Sequence, residues 1–401
     1  MHIGHWPYDE KPLLVFWETT KACLLACKHC RARAIREPLP GELTTEEGKR
    51  LIEMVAEFGK PYPILIFTGG DPLMRRDIWE LIGYAKSLGL RVGLAPSVTP
   101  LLNDENIKRI KEVGVDAVSI SLDAPVPEVH DSIRGYPGIW KRTVEVIRRF
   151  VEEGVRVQVN TVVMRDTVEH LADMVPLLLE LGVNTWEVFY LVPVGRAQMG
   201  QMLTPQEFED VSHFLYEASK YGILVRTTEG PMFRRVSWVR RALEEKGLDP
   251  DEVLKPGPLY KRLVSRLRER LGEPRGKPLA QTVGTRDGKG IIFIGYDGRV
   301  YPSGFMEYHI GNIREKSLVE LYRNHPLLKK IRAAEFKGRC GVCEFRDICG
   351  GSRARAYHVT GDPLGEDPAC PYQPGEYTRL AEKLGLPLRP PLRPVKAVPR
   401  A

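Results

Sequence analysis

A chain of 401 residues with 59 Lys and Arg, 52 Asp and Glu, a net charge of +7 and 43% hydrophobic residues has the composition of an ordinary folded protein, with roughly two or three domains as the prior. It contains no apolar run of about eighteen residues, which excludes a membrane-spanning helix. The positive charge is modest and spread along the chain, and its basic residues lack interleaved stacking aromatics, which excludes a nucleic-acid module.

The first residues, Met1-His2-Ile3-Gly4-His5-Trp6, carry neither the basic nor the apolar region of a signal peptide, so a cytoplasmic location is expected. There, seven cysteines argue against a disulfide framework. They divide as three plus four. An apolar, β-prone run, Leu13 to Trp17, leads into Cys23-x-x-x-Cys27-x-x-Cys30. Three soft thiolates suit an iron–sulfur cluster or zinc and leave one metal position open for chemistry. Zinc sites normally bring their cysteines in pairs with a fourth ligand nearby; His29 is the fourth ligand on that reading, although it lies between two ligands in sequence.

The spacing then predicts a helix over 44–59, with Thr44 and Glu47 as a capping box. A strand follows over 63–67, and the alternation recurs: helix 76–88, strand 91–95, helix 104–113, strand 117–122, helix 139–153, strand 155–164, helix 168–181 and strand 185–191. Such alternation reads as a parallel α/β structure, and the lengths alone do not separate an open sheet from a barrel. Function in either case collects on loops at the C-terminal ends of strands. Those loops are Thr68-Gly69-Gly70-Asp71-Pro72, the stretch from Ser119 to Asp123 with His130 to Gly135 beyond it, the fifth-strand position Asn160, and Leu191 to Arg196. Thr204, Pro205 and Glu207 start another helix.

Residues 226–284 break the rhythm with a basic insertion containing Arg234, Arg235, Arg240, Arg241, Lys261, Arg262, Arg266, Arg268 and Arg270. It reads either as a solvated helical face or as a lid over a carboxylate-rich substrate. Residues 290–302 form a predicted hairpin turning at Asp297-Gly298. Cys340, Cys343, Cys349 and Cys370 make a closed four-thiolate site, compatible with zinc or [4Fe-4S]. A helix over 377–384 and an extended proline-rich tail over 387–401 end the chain. Asn and Gln are scarce beside Arg, Glu and Pro, the bias expected of a protein from a hot environment.

Cys-x-x-x-Cys-x-x-Cys after a first strand strongly resembles the radical S-adenosylmethionine (SAM) enzymes. The resemblance implies a partial (β/α)6 barrel in which Cys23, Cys27 and Cys30 hold a [4Fe-4S] cluster, SAM chelates the fourth iron, and a 5′-deoxyadenosyl radical takes hydrogen from a substrate. It further implies Gly69, Gly70 and Asp71 at the SAM amino group, Arg134 at its carboxylate, Asn160 near its ribose, and Leu191 to Arg196 as an apolar platform. The stretch from Cys340 to Ala356 resembles the SPASM domain, which implies an auxiliary [4Fe-4S] cluster on Cys340, Cys343, Cys349 and Cys370. Ser303 stands where many such domains have another cysteine, so one auxiliary cluster and no second is expected. The implied domains are the barrel over 1–222, the basic insertion over 223–289, the SPASM-like domain over 290–375 and the helix and tail over 376–401.

Within the class, Trp17-Glu18-x-Thr20, Cys30-Arg31-Ala32, Tyr301 to Phe305 and Cys349 to Ala356 are most similar to the tetrapyrrole-modifying group, which includes alternative heme pathway and heme d1 maturation proteins. That implies a carboxylate-bearing tetrapyrrole as substrate, the basic insertion facing its carboxylates, and a low-potential donor such as ferredoxin or flavodoxin. Met232 stands where related proteins often have His, which sets a heme-like substrate in question. The alternatives are a peptide or a metal–pterin (tungsten) cofactor as substrate and, in another class, a non-enzymatic metal-binding scaffold. The few residues before Pro12 leave no room for the peptide-binding wing of many peptide maturases.

Overall fold

The computed structural model describes residues 6–280 and 284–388. Seven strands pair in parallel in chain order: β1 (Leu14–Glu18), β2 (Ile64–Thr68), β3 (Arg91–Leu94), β4 (Ala117–Ser121), β5 (Val157–Val163), β6 (Thr185–Tyr190) and β7 (Leu224–Thr228). Between them run α1 (Thr45–Ala56), α2 (Ile78–Ser87), α3 (Asp104–Glu112), α4 (Pro127–Arg134), α5 (Ile139–Glu152), α6 (Leu171–Glu180) and α7 (Pro205–Ala218). Strands β2 to β6 end within two residues of the positions read from apolar periodicity. The capping boxes at Thr44 with Glu47 and at Thr204 with Glu207 are both formed, and Pro205 takes the first helical position.

Alternation along the strands makes the architecture. Val15, Trp17, Leu65, Phe67 and Val159 are fully buried beneath the helices, and Gly48 of α1 leaves room for Trp17, whose ring would lie 2.7 Å from a Cβ there. Phe16, Ile66, Ser119 and Asn160, on the opposite face, remain partly accessible. That face is the inner wall of a partial barrel.

Within the barrel, two elements escaped the periodicity. Helix α4 is short and starts on Pro127, so its apolar repeat is brief. Strand β7 lies inside the stretch read as basic insertion, because Arg226 interrupts its otherwise β-prone sequence.

Beyond β7 come α8 (Met232–Glu245), α9 (Pro250–Leu254) and α10 (Pro258–Leu271). Against the expectation that this segment faces substrate carboxylates, six of its nine named cations pair with acids of the protein itself, and Arg234 donates to the Ile348 and Thr285 carbonyls. Arg235 pairs with Glu209, Arg240 with Glu217 and Asp251, Arg262 with Glu169, and both Arg266 and Arg270 with Asp173. Helix α8 packs on α7, and α10 on α6 and α7. The segment is a brace.

The C-terminal part continues the same sheet. Strands β8 (Arg286–Asp287), β9 (Gly290–Ile294), β10 (Arg299–Tyr301) and β11 (Gly311–Asn312) follow, and β9 pairs in parallel with β1, Leu14 opposite Ile291. The path therefore runs β11-β10-β9-β1 and on to β7. The β9–β10 hairpin turns at Asp297-Gly298, with Gly298 at φ +81°. Helices α11 (Leu318–Asn324), α12 (Pro326–Arg332), α13 (Gly338–Val342), α14 (Arg353–Thr360) and α15 (Glu376–Leu384) complete the chain. Most of the expected extended tail, 389–401, lies outside the described residues. Among the described residues no helix is long and apolar enough to cross a membrane.

Candidate active site

The cysteine loop leaves the C-terminal end of β1 and is clamped by three other strand-end loops. The first is Gly69-Gly70-Asp71. Gly70 N–H donates to Thr20 O at 2.8 Å and Asp71 N–H to Ala22 O at 2.7 Å. A Cβ on Gly69, which sits at φ +155°, would come 2.5 Å from Thr20 O, and one on Gly70 would come 2.3 Å from Ala22 O. The glycines let two backbones touch. Asp71 is fully buried, and its carboxylate accepts from Thr99 Oγ1 at 2.9 Å, Leu73 N–H at 3.2 Å and Ser97 N–H at 3.3 Å. Burial raises it to about 6.

The second clamp is the end of α4. Lys28 N–H donates to Ile133 O at 2.8 Å and Ala26 N–H to Arg134 O at 3.3 Å. The Arg134 guanidinium pairs with Asp123 at 2.7 Å and points its Nη1 at Cys27 Sγ, 3.7 Å away. Burial, the largest single influence, works to raise the Asp123 carboxyl, but Arg134, His29, His130 and the Val162 N–H together hold the group below its usual range. His29 lies in the same surroundings, where burial pushes its imidazole down to about 4. The third clamp is the end of β6: Arg196 N–H donates to Cys30 O at 3.0 Å, its Nε to Cys27 O at 2.9 Å and its Nη1 to Ala34 O at 2.9 Å.

All three sulfurs meet donors. Leu25 N–H reaches Cys23 Sγ at 3.4 Å with Ser97 Oγ 3.5 Å away, Ala34 N–H reaches Cys30 Sγ at 3.4 Å, and Arg134 serves Cys27. Burial pushes the Cys23 and Cys27 thiols up, and these donors work against it, as sulfurs that are to carry negative charge toward a metal require. Asn160 stands elsewhere on the inner wall, in register with Ser121, and accepts from Gln158 Nε2 at 2.8 Å.

Further residues gather on the inner side: Glu18, Arg31 and Phe305, which carried the resemblance but no assigned role, and Phe189, Glu187 and Arg226, which the sequence reading passed over. Arg31 pairs with Glu18 at 2.9 Å and lies over the Phe293 ring at 4.6 Å. Phe189 of β6 meets Phe305 with centroids 5.9 Å apart. Glu187 pairs with Arg226 at 3.0 Å and accepts from Thr228 at 2.9 Å. The available signal was polar residues at period two in β6 and β7.

Cys340, Cys343, Cys349 and Cys370 line one pocket, together with Met232, Arg235, Gly350 and Gly351. Met232 thus belongs to this wall. Asp367 N–H donates to Cys340 Sγ and Phe345 N–H to Cys343 Sγ, each at 3.4 Å. Gly350 and Gly351 are both left-handed, and a Cβ on Gly351 would come 3.0 Å from Cys340 Sγ. Arg353 is fully buried; it donates to Gly351 O at 3.3 Å, to Pro363 O at 3.3 Å, to Gly365 O at 2.5 Å and to Cys340 Sγ at 3.7 Å. Among the described residues it forms no ion pair with a carboxylate. A buried cation without an anion is costly, and a thiolate-bound cluster supplies the anion. Among the described residues no three His, Cys, Asp or Glu side chains converge on a single ion. Two all-thiolate sets, one of three and one of four cysteines, have the donor chemistry of [4Fe-4S] clusters. Ser303 is buried in a turn, accepting from Phe305 N–H at 3.3 Å.

Residues 17–178 match the radical SAM superfamily, and residues 286–344 match the SPASM iron–sulfur cluster-binding domain. The AdoMet-dependent heme synthase of Oleidesulfovibrio alaskensis is 40% identical over 90% of this chain and 87% of its own length. The AdoMet-dependent heme synthase of Methanosarcina barkeri is 36% identical over 91% of this chain and 98% of its own. Among solved structures, Streptococcus suis SuiB bound to S-adenosylmethionine superposes with a TM-score of 0.63 at 15% identity, covering 90% of this chain and 78% of that one.

Proposed function

This chain belongs to the radical SAM superfamily and carries a C-terminal SPASM iron–sulfur domain, and from that premise we propose that it oxidises a carboxylate-bearing side chain of a tetrapyrrole. The observation that carries the substrate class is the make-up of the barrel mouth. Phe189, Phe305 and Phe293 offer flat apolar surface, and Arg31, held over Phe293 by Glu18, places a guanidinium at its edge. A planar macrocycle with acidic arms needs that pairing. The heme synthases at 40% and 36% identity are named for the same kind of product.

Cys23, Cys27 and Cys30 hold the SAM-binding [4Fe-4S] cluster on this reading, and Cys340, Cys343, Cys349 and Cys370 hold the auxiliary one. When bound, the first cluster and SAM supply the radical that takes a hydrogen atom, and the auxiliary cluster supplies an acceptor for one electron. The protein's own part is to bind and orient. Gly69 and Gly70 bring backbone carbonyls to the SAM amino group, while Asp71, its acceptors filled by Thr99, Leu73 and Ser97, positions that loop. Arg134, backed by Asp123, serves both the SAM carboxylate and the Cys27 sulfur. Asn160, on the inner wall beside Ser121, would contact the ribose. For a propionate arm the balance is one hydrogen atom lost from the methylene beside the ring, cleavage of the bond to the carboxylate, departure of carbon dioxide, and one electron left over as a vinyl group forms. Four available thiolates at the auxiliary site favour electron acceptance over substrate ligation, and a ferredoxin or flavodoxin supplies the reducing electron.

Anaerobic spectral titration tests the substrate class. Iron-coproporphyrin is expected to bind with a shifted Soret band and an affinity that falls about tenfold in Arg31→Gln, the loss of one charge-assisted hydrogen bond. Equal binding by wild type and variant contradicts the assignment of the mouth.

A further inference from the structure

The proposed reaction draws an electron from outside, and the face over the cysteine loop has the chemistry of a docking site for its carrier. Ala26 and Lys28, on either side of Cys27, are exposed, so the thiolate loop is itself the protein surface there. Residues 19–37 hold Lys21, Lys28, Arg31, Arg33 and Arg36 against the single acid Glu37, and of these Arg31 turns inward to pair with Glu18. Lys28, Arg33 and Arg36 are exposed. Lys28 Nζ donates to the Ser132 hydroxyl at 2.8 Å and Arg33 Nε to Gly195 O at 3.1 Å, both neutral partners. Their charges are therefore uncompensated, unlike those of Arg262, Arg266 and Arg270 on α10, which pair with Glu169 and Asp173.

Apolar residues lie among these cations. Ile35, Tyr136 and Met199 are 40%, 39% and 55% exposed, three of five large hydrophobics so exposed among the described residues. Ile35 is on the loop and accepts from Cys23 N–H at 2.7 Å. Tyr136 follows Gly135, where a Cβ would meet Ala26 O at 3.0 Å. Met199 lies three residues past Arg196, whose Nε donates to Cys27 O. Exposed apolar side chains set among unpaired cations suit a protein partner with an acidic face, because the apolar contacts hold the complex and the charges steer it. Nucleic acid would need stacking aromatics along a basic groove, which this face lacks.

We infer that the surface formed by Lys28, Arg33, Tyr136 and Met199 docks an acidic, low-potential one-electron carrier protein, seated directly over Cys27. This rests on the radical SAM reading of the loop, and the test separates the two. The double variant Lys28→Glu/Arg33→Glu is compared with wild type in 5′-deoxyadenosine formation, driven either by flavodoxin hydroquinone or by dithionite. With flavodoxin the variant is expected to be at least tenfold slower at low salt, and the wild-type rate to fall as salt rises; with dithionite the two proteins are expected to agree. Lys28→Ala/Arg33→Ala, expected to show a smaller loss in the same direction, serves if charge reversal impairs folding. Equal flavodoxin-driven rates overturn the docking site, as does a matching loss with dithionite, which would assign these residues to SAM or substrate. Absence of dithionite-driven cleavage in wild type would instead overturn the reading of the loop itself.

Discussion

A buried guanidinium needs a negative partner, and among the described residues Arg353 has no carboxylate at ion-pair distance, Asp362 acting on it only from farther off. Its side chain lies over the Phe336 ring at 4.5 Å, is fixed by three carbonyls through Nε and Nη1, and turns Nη2 to Cys340. A charge-assisted N–H bond to a ligand sulfur stabilises the more negative, reduced state of a cluster. Arg353→Lys keeps a cation but loses the directed fork. We expect it to lower the midpoint potential of the auxiliary cluster by about 60 mV, a tenfold change for one electron, with the SAM-binding cluster unmoved. Redox titration followed by electron paramagnetic resonance checks this, and an unchanged auxiliary potential contradicts it. The seven cysteines were legible in the sequence because their spacing is local. Arg353 was not, because its meaning lies in burial and in the absence of a carboxylate at ion-pair distance, which no spacing encodes. Asp71 shows the complementary gap: Gly-Gly-Asp is visible as a motif, yet that its acceptors are filled from within follows only from Thr99 and Ser97 arriving from β3's loop.

At the scale of elements, the basic helices α8 and α10 illustrate how composition misleads. Nine cations in one stretch resemble a surface waiting for acid, but five of them find their acids far off in sequence, at Glu169, Asp173, Glu209 and Glu217. Arg240 is 2% exposed and binds Glu217, Asp251, His213 and Tyr260 at once. Arg240→Ala removes these charge-assisted bonds, although Glu217 keeps Lys220 and Asp251 keeps Tyr260, and is expected to cost about 2 kcal/mol, read as a lower thermal midpoint. Porphyrin affinity is expected to stay at the wild-type value. A variant with wild-type stability and weakened porphyrin binding would return the segment to a substrate lid. Strands β2 to β6 were legible because their apolar alternation is regular; β7 was hidden because Arg226, which serves Glu187 on the inner wall, breaks the pattern that marks a strand.

Over the whole molecule, the pairing of β9 with β1 decides how the parts cooperate. It makes the C-terminal hairpin a continuation of the barrel sheet, so that Phe293 and Phe305 meet Arg31 and Phe189 at the mouth. The hairpin itself could be read from Asp297-Gly298, but its partner lies nearly three hundred residues earlier, and register at that separation is invisible to local patterns. One continuous sheet thus carries the open thiolate site, the aromatic floor and the entry to the four-thiolate pocket. The account is tested most directly by mass spectrometry of iron-coproporphyrin after anaerobic turnover with SAM and reductant. It predicts that each processed propionate loses one carbon dioxide and two hydrogens, with one 5′-deoxyadenosine formed per vinyl group. Deoxyadenosine released while the porphyrin mass stays unchanged would contradict it.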